Sequence, residues 1–192
     1  MQHKGTVTLE ADRLILRRFQ ADDAQQMFDN WASDSEVTKF LTWPTHKSVD
    51  VSKFVINDWL INYDKNDYYS WGIVIKDTNE LVGSISVTNI KECAEGIEIG
   101  YCIGRKYWGK GITAEAGRAV VKFLFEEVKA IRVCAYHAPE NPNSGKVMKK
   151  IGMTYEGTLR QSDICNQGIV DAVIYSILRS EYEAGLTSNI NE

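Results

Sequence analysis

Ile97-Glu98-Ile99-Gly100-Tyr101-Cys102-Ile103 runs on through Trp108-Gly109-Lys110-Gly111 into Ile112-Thr113-Ala114-Glu115-Ala116. In the first part, Ile97, Ile99, Tyr101 and Ile103 alternate with Glu98, Gly100 and Cys102, which predicts a strand with two distinct faces. In the last part, Val120, Val121, Phe123, Leu124 and Val128 follow at helical spacing, so Thr113 onward predicts a long helix. Two glycines at a strand-to-helix turn let backbone N–H groups approach a ligand closely. The helix N-terminus adds free donors and the positive end of its dipole, a combination suited to a pyrophosphate. A strand carrying one carboxylate therefore leads into an anion cradle.

Three readings compete for that turn. A Walker-type phosphate loop requires GxxxxGK[ST], whereas Gly109-Lys110 is followed by Gly111. That option fails. Gly109-Lys110-Gly111-Ile112-Thr113-Ala114 satisfies the GxGxx[GA] dinucleotide fingerprint, which keeps a nicotinamide or flavin protein as an alternative. Its context is wrong, because several strands of alternating polarity precede it. The next strand, Ile131-Arg132-Val133-Cys134-Ala135-Tyr136-His137, ends without a carboxylate for a ribose. The third reading is a glycine pair that serves a tight turn and nothing else.

The chain beyond this strand weakens the third reading. Asn141-Pro142-Asn143-Ser144 opens a short helix, Gly145-Lys146-Val147-Met148-Lys149-Lys150-Ile151, and Gly152 stands where a helix C-cap is expected. Met153-Thr154-Tyr155-Glu156-Gly157 then begins a strand. Together the glycine turn and the Asn141–Ser144 helix resemble the GNAT superfamily of acetyl-CoA-dependent N-acetyltransferases. Arg13-Leu14-Ile15-Leu16-Arg17 resembles the first strand of the branch that acetylates ribosomal-protein N-termini. Asn166-Gln167-Gly168-Ile169-Val170-Asp171 and Tyr175 are similar to that branch's last hairpin. The resemblance covers nearly the whole chain.

The 192 residues fit one domain, 1–192, with a substantial core. A hydrophobic content of 44% and a charged content of 25% are ordinary for a globular protein. A net charge of −4 argues against a nucleic-acid or acidic-membrane binder. No apolar run approaches a membrane span, and Met1-Gln2-His3-Lys4-Gly5 lacks a signal core, so a cytoplasmic location is the expectation. Cys93, Cys102, Cys134 and Cys165 have no CxxC spacing, and His3, His46 and His137 have no ligand spacing; no metal is expected. Asp22 or Asp23 is placed to cap a helix carrying Ala24, Met27, Phe28 and Trp31. Ser48 is placed to cap a second, carrying Val51, Phe54, Val55, Trp59 and Tyr63. Tyr69–Ile75 and Leu81–Val87, joined by Asp77-Thr78-Asn79-Glu80, predict a hairpin. The order is that of an α+β protein with antiparallel strands first and one parallel crossover through the long helix.

The resemblance implies a GNAT fold: a mixed, mostly antiparallel twisted sheet of about seven strands with about four helices. A splayed parallel pair would hold the pantetheine arm of acetyl-CoA. It also implies acetyl transfer to a primary amine, either a protein N-terminus such as that of a ribosomal protein or a small molecule. A non-catalytic acetyl-CoA-binding module is the other alternative. Glu98 stands as the base and Ser144 as the hydroxyl nearest the leaving thiolate, since Met148 occupies the position where many members carry a tyrosine. Trp108, Gly109, Lys110, Gly111, Ile112 and Thr113 would hold the pyrophosphate, with Lys106, Arg105 or Lys110 adding charge. Asn141 would bond the pantetheine amide, and a backbone N–H near Cys102 and Ile103 would serve the oxyanion. The acceptor pocket would be built from the two N-terminal helices and the last hairpin. That exposed hairpin, with Ile164, Ile169 and Val173, is also where a homodimer or higher oligomer would pair.

Overall fold

A computed structural model describes residues 1–190. Eight strands form one sheet in the order β1-β2-β3-β4-β5-β6-β8-β7. They are β1 (Leu9–Glu10), β2 (Leu14–Arg17), β3 (Ser70–Ile75), β4 (Glu80–Lys91), β5 (Gly96–Ile103), β6 (Arg132–His137), β7 (Thr154–Cys165) and β8 (Gly168–Leu178). All neighbours are antiparallel except β5 and β6. The helices are α1 (Ala24–Met27), α2 (Ser35–Thr38), α3 (Val49–Asn62), α4 (Ile112–Glu126), α5 (Pro142–Ile151) and α6 (Arg179–Ile190). The mixed sheet and the crossover through α4 agree with the sequence reading. The additional strand is the two-residue β1, and the additional helices are the single turn of α2 and the C-terminal α6. Among the described residues no helix is long and apolar enough to cross a membrane.

Helices cover both faces of the sheet because the central strands are apolar on both sides. β3 is buried along nearly its whole length. On one face α4 and α5 pack Ala116, Val120, Leu124 and Met148 against Leu14, Leu16, Ile85, Ile97, Ile99 and Val133. On the other face Ala24, Met27, Trp31 and Ile56 meet Val74 and Leu81. The alternation in β5 thus holds: its isoleucines enter the first core, and Cys102 packs against the second.

Three local details differ from the sequence reading. Asp23 is buried and accepts from the Gln20 backbone N–H at 2.7 Å and from both terminal nitrogens of Arg17 at 2.7 and 2.8 Å. It therefore anchors β2 to the first helical turn as well as capping it. The stripe from Ala24 to Trp31 is only partly α-helical, because Phe28–Ala32 widens to a π-helix and leaves Phe28 half-buried. In α3, Ser48 is the N-cap residue, but its side chain makes no capping bond. Phe54 is 76% exposed, while Ser52 turns inward to bond the buried His46 Nδ1 at 2.7 Å. That polar contact rotates the inward face of α3 to Ser52, Ile56 and Tyr63.

β4 approaches β5 closely at Gly83, where a Cβ would stand 2.3 Å from the Cys102 carbonyl oxygen and 2.9 Å from Ile103 Cα. Both are backbone atoms of a paired strand and cannot move without opening the sheet. Gly83→Ala is expected to cost about 1–3 kcal/mol, the range for overpacking, read as a lower denaturation midpoint. Gly157→Ala, with nothing within 4 Å of the new methyl, is expected to stay within about 0.5 kcal/mol. Equal effects would contradict the close approach.

Candidate active site

The parallel ladder between β5 and β6 is short. It runs from Gly96–Arg132 through Ile97–Val133 to Glu98–Cys134. Beyond that, β5 continues along β4 to Gly83–Ile103, and β6 continues along β8 to His137–Val173. The two strands therefore part, and residues 99–103 keep a ladder on one side alone. Their other backbone groups face a cleft, and an extended ligand chain can satisfy them.

The cleft encloses about 320 Å³ and has three walls. The first is the end of β5 and the turn into α4: Tyr101, Cys102, Ile103, Tyr107, Trp108, Gly109, Gly111, Ile112, Thr113 and Ala114. Gly109 and Gly111 both take left-handed backbone, with φ of 75° and 76°, a conformation that costs other L-residues about 1–2 kcal/mol. The first turn of α4 presents N–H groups that have no carbonyl four residues behind them. The second wall is the start of α5, with Asn141, Asn143, Ser144, Lys146, Val147 and Lys150. The third is Val37, Phe40 and Leu41, at and beyond the end of α2.

Most of the residues marked in the sequence converge here: Cys102, Ile103, Trp108, Gly109, Gly111, Ile112, Thr113, Asn141 and Ser144 all line the cleft. Lys110 and Glu98 do not. The Lys110 Nζ lies over the Tyr107 ring, and its carbonyl accepts from Arg13 Nη1 at 3.2 Å. Glu98 shares the β5 face of Gly100 and Cys102 but lies nearer the start of the strand, where its Oε1 accepts from Thr88 Oγ1 at 2.7 Å. It sits at the last β5–β6 pair and faces Cys134 and Tyr136. Burial, helped by the Cys134 and Glu98 charges, pushes the Tyr136 phenol up to about 12.

Ser144 stands in the first turn of α5 rather than at its cap. Its Oγ is 3.0 Å from the Tyr101 hydroxyl, which donates to the Ser144 carbonyl at 3.0 Å. Burial pushes the Tyr101 phenol well above its ordinary range, so it remains a hydroxyl. Burial likewise raises the Cys102 thiol, whose sulfur lies 3.2 Å from Ser84 Oγ, so this cysteine is an inert wall. Met148 is 1% exposed in the core and offers nothing to the cleft. His137 stacks on Tyr175 and directs Nδ1 at the Ala138 carbonyl, 2.7 Å away, which is a packing role.

Sequence reasoning missed two features. Arg13, just ahead of β2, sets two guanidinium nitrogens on one oxygen of the buried Glu115, Nε to Oε2 at 2.7 Å and Nη2 to Oε2 at 2.6 Å, with the Arg13 backbone N–H to Oε1 at 2.7 Å. With its bond to the Lys110 carbonyl it ties the glycine turn to the sheet. The partners lie 102 residues apart, so no local pattern marks them. The cationic residues on the cleft are Lys146 and Lys150, one turn apart on α5. Arg105 and Lys106 are instead paired with Asp34 at 2.9 Å and Glu80 at 3.2 Å. The i, i+4 spacing of the two lysines was the available signal.

The family described as acetyltransferase (GNAT) domain matches residues 13–154. An uncharacterised N-acetyltransferase of Bacillus licheniformis, p20, is 31% identical over 91% of this chain and 98% of its own. The ribosomal protein uS5-alanine N-acetyltransferase of Escherichia coli is 24% identical over 93% and 94%. The crystal structure of a GNAT-family acetyltransferase from Bacillus anthracis superposes with a TM-score of 0.80 at 29% identity, over 91% and 99%.

Proposed function

The chain belongs to the acetyltransferase (GNAT) family, and from that premise we propose that Glu98 and Ser144 flank the transfer of an acetyl group from acetyl-CoA to a primary amine. The observation that carries this reading is the end of the β5–β6 ladder at Glu98–Cys134, with the glycine turn at the far end of the opening. The pantetheine arm lies along residues 99–103, and Asn141 bonds one of its amides. The pyrophosphate rests on Gly109–Thr113, and Lys146 and Lys150 neutralise phosphate charge. One domain over 1–192 carries the activity.

The amine nitrogen attacks the thioester carbonyl carbon, the C–N bond forms, and the carbonyl oxygen takes the negative charge. Backbone N–H groups of the open β5 edge near Cys102 and Ile103 stabilise that charge. Glu98, directly or through water, takes the proton that the nitrogen sheds. The oxyanion collapses, the C–S bond breaks, and the thiolate leaves. Ser144 faces that sulfur; its hydroxyl donates to the thiolate while Tyr101 holds the Ser144 carbonyl, and solvent then supplies the proton. A thiolate with a conjugate acid near 8.5 needs no stronger acid.

A protein N-terminus is the acceptor that the uS5-alanine enzyme's name supports. The exposed Ile164 and Ile169 on the last hairpin support pairing of two copies there.

Two substitutions test the assignments separately. Gly111→Asp adds a carboxylate to the cradle at a backbone conformation that Asp tolerates better than most residues. Unfolding is expected to stay cooperative while acetyl-CoA affinity by calorimetry falls more than about tenfold; unchanged affinity would overturn the cradle. Glu98→Gln is expected to lower kcat by about two to four orders of magnitude with acetyl-CoA affinity unaltered. Residual activity should rise with pH, because the free amine then forms in solution. Near-full activity at neutral pH would remove Glu98 as the base.

A further inference from the structure

Beyond Val37 in α2, the third wall of the cleft has no regular structure of its own. Residues 39–48 connect α2 to α3, and Phe40 and Leu41 reach the cleft from this segment. Its far end is well anchored. His46 is 5% exposed, its N–H donates to the Ala32 carbonyl at 2.9 Å, and Nδ1 meets Ser52. The near end is held from outside. Within the segment the Leu41 N–H reaches the Thr38 carbonyl at 2.9 Å. Three further bonds come from one residue of the last hairpin, Asn166. Its backbone N–H donates to the Leu41 carbonyl at 3.0 Å, and its side-chain Nδ2 donates to the carbonyls of Thr38 at 2.9 Å and Trp43 at 2.8 Å.

The hairpin is built to bring Asn166 there. β6 stops supporting β8 at Val173, so Gly168–Ala172 and the paired part of β7 extend past the edge of β6. Asn166 and Gln167 make the two-residue turn, and Gly168 relieves the backbone with a φ of 96°. Both side-chain partners of Asn166 are carbonyl oxygens, so only the NH₂ end of the amide fits between them.

We infer that Asn166 is a latch: it fixes the Thr38–Trp43 wall against the cleft and thereby sets the width of the mouth through which the acceptor amine enters. It is a positioning residue, acting through Phe40 and Leu41. The selection of acceptors rests on the acetyl-transfer reading above, whereas the latch itself does not. Releasing the two side-chain bonds shifts the local opening equilibrium of the wall by about tenfold or more, given the usual worth of such bonds.

Asn166→Asp is the discriminating substitution, since it keeps the size and sets carboxylate oxygens against two carbonyls. Hydrogen exchange of amides 39–43 in the ligand-free protein is expected to quicken by about tenfold, with β2–β4 unchanged. With a tetrapeptide bearing an N-terminal alanine as the acceptor, KM is expected to change by several-fold. The value of kcat and the acetyl-CoA affinity should stay within about twofold, a split that general destabilisation would not produce. Unchanged exchange at 39–43 overturns the latch. Faster exchange with an unchanged KM overturns its control of the acceptor. A protein that does not acetylate the tetrapeptide counts against the preceding reading. The exchange at 39–43 needs no acceptor and then still decides the latch: faster exchange in Asn166→Asp upholds it, and equal exchange overturns it.

Discussion

The structure depends on the early end of one ladder. β5 and β6 share three register pairs and then follow different partners, β4 and β8. A twisted sheet tolerates this divergence only where something replaces the lost pairing, because unpaired buried backbone groups are costly. Here the Tyr101–Ser144 contact reaches across toward α5, and the remaining backbone groups of residues 99–103 are left for an extended ligand. Glu98 sits at the last shared pair, and Ser144 lines the opening beyond it. The cleft follows from that single interruption.

What positions the glycine turn is the ion pair of Arg13 with the buried Glu115 rather than the glycines themselves. Glycine permits the left-handed turns at 109 and 111 but does not fix where they point. Arg13 fixes them, because it grips Glu115 with two nitrogens and the Lys110 carbonyl with a third. A charge pair with one half-exposed member contributes less to stability than its short distances suggest. Its value here is geometric: it holds the first turn of α4 against β2, so under the proposed function the N–H groups of that turn would need no reorganisation on binding an anion.

The sequence was readable where function depends on local chain geometry. The alternation of β5, the glycine turn, the spacing of α4 and the Asn141–Ser144 turn each have a signature within a few residues, and each forms the expected element. It was unreadable where function depends on residues more than a hundred positions apart. Arg13 reads as an ordinary strand-entry cation and Asn166 as an ordinary turn residue; only the fold brings them to Glu115 and to the Thr38–Trp43 wall. The α3 stripe was misassigned for a different reason. Phe54 looks like core, but the bond between Ser52 and His46 sets the rotation of the helix and leaves the phenyl ring in solvent. Hydrophobic periodicity alone cannot rank a buried polar contact above an aromatic ring.

On the proposed function, a CoA-type ligand fills the opening between β5 and β6. Hydrogen exchange measured with and without saturating CoA tests it most directly. The account predicts slowed exchange at residues 99–103 and 109–114, with β2 and β3 unchanged. Protection confined to other segments, or none at saturation, would contradict it.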